Sequence, residues 1–161
     1  MKLSSNGTIV PLLNSLLPIE WTVSALYQRQ ATLLAYLGIA KLAAKFEEES
    51  LEERGHARLL LDRLRLLEGV VLPTTTPVET LANVTDKTSP MDMLAESLTL
   101  ESEAAAQYRR AITTAHDAGD HGTRKTLEKI LKQTEEHVRW LEEQTSRAAL
   151  IGVDNFLTEW S

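Results

Sequence analysis

Glu52-Glu53-Arg54-Gly55-His56 is the stretch on which the fold of this chain turns. It lies inside a run from about Ile39 to Glu68 that has no proline and carries apolar residues at helical spacing. Glu53 and His56 are three residues apart, so a helix sets a carboxylate and an imidazole on one face, one turn from each other. Taken singly, a mid-helix Glu or His belongs to a solvated face, and the pair gains meaning only if other helices bring matching groups to the same level.

Working outward, the apolar positions Leu13, Leu16, Leu17, Trp21, Ala25, Leu26, Leu33, Leu34 and Leu37 recur at three- and four-residue steps. They predict a helix over about 11–37, with a break or bend expected at Pro18. A second helix follows over about 39–68, with Gly69 as its expected stop. Val70 to Lys87 holds Pro73-Thr74-Thr75-Thr76-Pro77 and reads as a long crossover between two helices that point the same way. Ser89-Pro90-Met91-Asp92 carries an N-cap, a first-turn proline and a first-turn acid, and starts a third helix over about 90–118. Gly119-Asp120-His121-Gly122 is a turn. A fourth helix spans about 123–149, and an amphipathic tail over 153–160 makes a fifth. Met1 to Gly7 is polar and is expected to be loose. Short, long and short connections between four helices predict an all-α, single-domain four-helix bundle over 1–161.

Composition narrows the chemistry. The 161 residues carry a net charge of −6, without the basic footprint of a nucleic-acid binder. There is no cysteine, which excludes disulfides and thiolate metal sites. A metal would be held by Glu, Asp and His, a donor set for iron, manganese or zinc. The first residues lack the continuous apolar core of a signal peptide, and no apolar run is expected to be long enough to span a membrane. A cytoplasmic protein is expected.

The remaining helices do supply matching groups. Glu20 follows Leu16 and Leu17 on the apolar side of helix one, where a lone carboxylate needs a partner or a metal. Tyr27, seven residues on, shares that face. Glu101 sits among apolar residues of helix three, and His137 lies in Thr134-Glu135-Glu136-His137 on helix four. The position three before His137 is Thr134, not a carboxylate, and Glu135 and Glu136 face elsewhere. Two divalent ions placed close together repel, and bridging carboxylates offset that charge. Three carboxylates leave one positive charge uncompensated, so the second metal position is expected to be weak or absent.

The chain resembles bacterioferritin, within the ferritin-like superfamily. The resemblance runs from about Leu13 to Trp160. It rests on Leu13-Asn14-Ser15-Leu16-Leu17 leading to Glu20, on Glu52 to Ala57, on Leu64 to Gly69 and on Leu98 to Glu101. Ile130-Leu131, His137 to Glu142 and the tail Ile151 to Leu157 complete it. It implies a shell, usually of 24 subunits, that takes up Fe2+, oxidises it at a di-iron centre in each bundle and stores ferric mineral. The implied ligands and catalytic residues are Glu20, Glu53, His56, Glu101 and His137, with Thr134 in the place of a Glu ligand. The implied partners are Fe2+, oxygen or peroxide, and copies of the chain or of a second bacterioferritin-type subunit.

Bacterioferritins hold haem through a Met on helix two. Arg54 occupies that place, and it is no soft axial ligand, so haem is not expected. An interface ion pair is the plain role for Arg54. Glu48 and Glu52 lie on a face that the resemblance turns to the shell cavity, where they could bind iron during mineral nucleation, but the plainer reading is solvated acids. Mid-helix Gly55 is expected to mark close packing against a neighbouring helix. Three functions compete: an iron-storing ferroxidase subunit slowed by an incomplete site, a ferritin-like di-metal oxidase or peroxide-handling enzyme outside any cage, and a structural subunit of a mixed cage.

Overall fold

The computed structural model describes residues 6–73 and 89–161. The helices are α1 (Asn6–Tyr36), α2 (Ala40–Leu66), α3 (Pro90–Asp117), α4 (His121–Ile151) and α5 (Val153–Trp160). No strand occurs among the described residues. The expected loose segment is partly helix, since Asn6 and Gly7 open α1, while residues 1–5 lie outside the described residues. Most of the expected crossover, residues 74–88, also lies outside them.

Local chemistry sets several helix ends. Ser89 Oγ accepts the Asp92 amide at 3.1 Å, and the Asp92 carboxylate accepts the Ser89 amide at 3.2 Å, which closes a capping box ahead of α3. Such a cap contributes about 1 kcal/mol. At the start of α4, buried Asp120 accepts from the Thr123 amide and hydroxyl at 2.9 and 2.7 Å. Arg63 of α2 reaches the same turn, 2.5 Å from Asp120 and 2.8 Å from Thr123 Oγ1.

Regular helix does not wait for Pro18, because α1 starts at Asn6 and continues through both Pro11 and Pro18. The prolines sacrifice backbone hydrogen bonds, and the fully buried Ile9, Leu13 and Leu17 hold the segment helical through packing. The stop after α2 also differs in detail. Glu68, with φ 56°, takes the left-handed turn, not Gly69. Gly69 is needed for space, since a Cβ there would lie 2.9 Å from Val10. Asn14 fastens the chain that follows, donating to the Val70 carbonyl at 3.0 Å and accepting from the Leu72 amide at 2.8 Å. Gly55 overturns its expected role: it is exposed, and a Cβ there would meet nothing within 4 Å. α1 is long and apolar enough, by length and composition, to cross a membrane, against the expectation that no apolar stretch suffices. Polar residues interrupt its apolar run, and here about half of the apolar window is buried in the bundle.

The core is divided. One apolar cluster joins the start of α1 and the end of α2 to the end of α3 and the start of α4, around Leu13, Leu17, Leu60, Leu64, Ala115 and Leu127. The other joins the opposite ends, around Leu34, Leu42, Phe46, Leu94 and Phe156. α1 and α4 therefore run one way and α2 and α3 the other, as a crossover between α2 and α3 requires. Phe156 of α5 packs into the second cluster, and Trp160 meets Trp140 edge-on at 5.8 Å. The polar groups gather in the layer between the clusters.

Candidate metal centre

Each of the four long helices sends buried polar side chains into this middle layer: Glu20 from α1, Glu49, Glu53 and His56 from α2, Glu101 from α3, and Thr134 and His137 from α4. His56 Nδ1 lies 3.2 Å from Glu20 Oε2 and 3.0 Å from Glu53 Oε2. His137 Nδ1 lies 3.3 Å from Glu53 Oε1 and 3.2 Å from Glu101 Oε1. Glu53 thus touches both imidazoles. Two tyrosines support the cluster from outside it: Tyr27 donates to Glu101 Oε1 at 2.8 Å, and Tyr108 donates to Glu20 Oε1 at 2.5 Å.

Burial and mutual charge shift the titrations strongly. Burial raises the Glu20 pKa to about 8, although His56 opposes the shift. Burial also raises Glu53, but the neighbouring His137 and His56 outweigh it and bring the pKa down to about 2. Burial disfavours the His56 cation, yet Glu20 and Glu53 push its pKa up to about 10. His137 is raised as well, against burial, by Glu101, Glu49 and Glu53. Without metal and at neutral pH, the two imidazoles therefore stand in as cations where metal ions would neutralise the carboxylates.

The donor set fits a divalent cation of intermediate hardness. Glu20, Glu53 and His56 present ligand atoms within 4.8 Å of one another, and so do Glu53, Glu101 and His137. Glu20 Oε2, Glu53 Oε1 and His56 Nε2 are buried with no hydrogen-bond partner. Orphaned donors of this kind are uncommon in a protein interior and point to a missing ligand. All five ligand candidates expected from the sequence thus meet in one cluster.

Residues 10–151 match the family model of the ferritin-like domain. The chain belongs to the ferritin-like family. It is similar to a bacterioferritin of Rhodobacter capsulatus, 30% identical over 154 residues that cover 96% of this chain and 92% of that one. It is also similar to a bacterial ferritin of Pseudomonas aeruginosa, 31% identical over 150 residues, covering 92% and 94%. A bacterial ferritin of Synechocystis is 34% identical over 122 residues, 74% of each chain.

Thr134 lies where the resemblance implies a carboxylate. It is buried, but its hydroxyl donates back to the Ile130 carbonyl at 3.1 Å and is committed to its own helix. Glu135 and Glu136 face outward, Glu135 pairing with Arg109 at 2.8 Å. Arg54 is exposed, and its Nε donates to Ser24 Oγ at 3.4 Å. Glu48 is exposed, whereas Glu52 is half-buried and reaches inward, accepting from Gln133 and lying 3.3 Å from His137 Nε2.

The sequence reading misses Glu49 and Tyr108. Glu49 is one turn before Glu53 and is buried, and pairing Glu48 with Glu52 put the emphasis one residue off the inward face. Tyr108 lies seven residues after Glu101, two turns along the same face. Helical spacing carried both signals.

Proposed function

We propose that this chain is a subunit of an iron-storing shell, of the 24-subunit kind, that binds Fe2+ among Glu20, Glu53, His56, Glu101 and His137 and oxidises it for deposition as ferric mineral. Iron storage is the function at the level of its family. The observation that carries the finer reading is the convergence of three buried carboxylates and two buried imidazoles, with orphaned ligand atoms, at the mid-height of a four-helix bundle. Fe2+ is the substrate here. Each ion gives up one electron to oxygen or peroxide, and anionic carboxylates favour the more highly charged ferric product. Glu53, held anionic and shared between the imidazoles, would bind on both sides, while Tyr27 and Tyr108 orient Glu101 and Glu20.

The test loads the assembled protein with Fe2+ in the absence of oxygen and sizes it by light scattering. Tight binding of Fe2+ in a particle far larger than a dimer, followed by ferric absorbance when oxygen is admitted, is the expected result. A dimer at every iron load would overturn the storage reading and favour a free-standing oxidase. Thr134→Glu, which restores the absent carboxylate, is expected to raise the Fe2+ oxidation rate at least about tenfold, since even groups that only support a metal ligand change activity about 10–100-fold. An unchanged rate in stopped-flow measurements would mean that Thr134 does not limit the site.

Loading should also release protons. At pH 7 Glu20 is below its pKa of about 8, and His56 is below its pKa of about 10. His137 is raised too, so all three hold protons that a cation must displace. Apparent affinity therefore falls as pH falls, and up to about three protons leave at full loading. Calorimetric titration in buffers of different ionisation enthalpy checks this count.

A further inference from the structure

His137 stands between two pairs of carboxylates, one at each ring nitrogen. Nδ1 faces Glu53 and Glu101. Nε2 lies 2.5 Å from Glu49 Oε2 and 3.3 Å from Glu52 Oε2. Glu49, Glu52 and His137 place their ligand atoms within 4.8 Å of one another. Glu49 is 2% exposed, and its Oε2 is buried without a hydrogen-bond partner. Its other oxygen pairs with Lys45, whose ammonium lies 5.5 Å from the Trp140 ring centroid. A carboxylate oxygen buried against an imidazole, with no hydrogen bond of its own, is an unsatisfied ligand aimed into a pocket of donors.

The inner position has no carboxylate because Thr134 stands there, and its hydroxyl is bonded to its own helix. A neutral imidazole can offer a lone pair from only one of its nitrogens. We propose that Glu49, Glu52 and His137 Nε2 form a divalent-cation site that takes the second Fe2+ in place of the position left incomplete at Thr134. This inference rests on the reading above and narrows its ligand set: the first Fe2+ is held by Glu20, Glu53 and His56, and Glu101 no longer ligates. His137 then keeps its proton on Nδ1 and donates it to Glu101, which also accepts from Tyr27. Glu101 becomes a positioning residue that fixes the ring, in the manner of carboxylates that orient metal-bound histidines.

Charge supports the arrangement. Glu20, Glu49, Glu52, Glu53 and Glu101 carry five negative charges when ionised. Two divalent cations and Lys45 supply five positive ones, so the loaded cluster is neutral. The charge left over by three carboxylates at two inner positions disappears. Access is provided as well, since the Glu52 side chain is 34% exposed and gives this lobe a side open to solvent.

The test is anaerobic titration of the assembled protein with Co2+, followed by its visible ligand-field bands, and with Zn2+, followed by calorimetry. Two cations per chain are expected. Glu49→Gln should weaken one of them more than about 100-fold and leave the other within about threefold. Glu52→Gln, at a half-exposed position where folding is not at stake, should weaken the same cation. Glu101→Gln should weaken it only about tenfold, as expected for an outer partner. Adding Thr134→Glu to Glu49→Gln should restore the second cation at the inner position. Particle size and helical circular dichroism establish that each variant assembles. Two cations unaffected by Glu49→Gln and Glu52→Gln, or a second cation more sensitive to Glu101→Gln than to Glu49→Gln, would overturn the proposal while leaving the bundle a metal centre. Two cations indifferent to Glu20→Gln and Glu53→Gln, or none in the unaltered protein, would instead overturn the underlying reading.

Discussion

Glu53→Ala is expected to reduce Fe2+ binding and oxidation more than about 100-fold, beyond the range for loss of an outer-shell partner. Glu53 is buried and lies 3.0 Å from His56 Nδ1 and 3.3 Å from His137 Nδ1, so its removal strips a carboxylate from between the two imidazoles. The metal-free protein should suffer too. Truncating one partner of a buried ion pair typically costs about 3–5 kcal/mol. Here the figure is an upper bound, because His56 can discharge once its partner is gone. The sign with pH follows from the depressed pKa. The stabilising contribution of Glu53 is complete above about 4.5 and disappears as pH falls through about 2, so the variant and the parent should converge in stability at strongly acidic pH. Anaerobic Fe2+ titration and acid unfolding followed by circular dichroism read the two effects separately. Glu135→Ala, removing an outward-facing acid paired with Arg109, is the control and should change Fe2+ binding little.

Phe46→Ala should give the largest loss of stability from a change that removes no ligand. Its ring is fully buried, edge-on to Tyr27 at 5.2 Å and to Trp140 at 6.5 Å. Truncating a buried Phe costs about 3–5 kcal/mol, from lost transfer energy and the cavity left behind. For a chain of this size that corresponds to a fall in Tm of roughly 10 °C, at about 2–4 °C per kcal/mol. The damage should reach the metal centre, because the Tyr27 ring that Phe46 supports carries the hydroxyl bonded to Glu101. Calorimetry of metal-free protein measures the first effect. A fall of less than about 3 °C would show that the second apolar cluster closes around the void.

The elements most legible in the sequence were those written in periodicity and capping. The four long helices follow from apolar spacing, and Ser89 with Asp92 marks the start of α3 through local chemistry alone. The buried cluster was foreseeable because helical spacing puts Glu53 and His56 on one face, and because Glu20 and Glu101 sit among apolar neighbours. What escaped depended on relations between helices. Pro18 argues locally for a break, and only the packing of Leu13 and Leu17 explains why α1 continues. Gly69 looks like a conformational stop, but its role is to let Val10 approach from another helix. Gly55 looks like a packing contact and has none in this chain. Arg63 and Asp120 are separated by 57 residues, so nothing local marks them as partners. Glu49 was within reach of spacing alone, but which of two adjacent acids turns inward depends on the exact roll of α2.

The polar layer between two apolar clusters has a consequence for alignment. A four-helix bundle with a uniform apolar core gains nearly as much from a helix displaced by one turn, about 5.4 Å, as from the correct pairing. Here such a slip would carry Glu20 to the level of Leu16 and Leu17, or Glu53 to that of Ala57, and strip it of the imidazoles it needs. A buried carboxylate without a partner is heavily penalised. The groups that prepare the chain to receive iron therefore also act, in its absence, as a vernier that fixes how far each helix is inserted against the others.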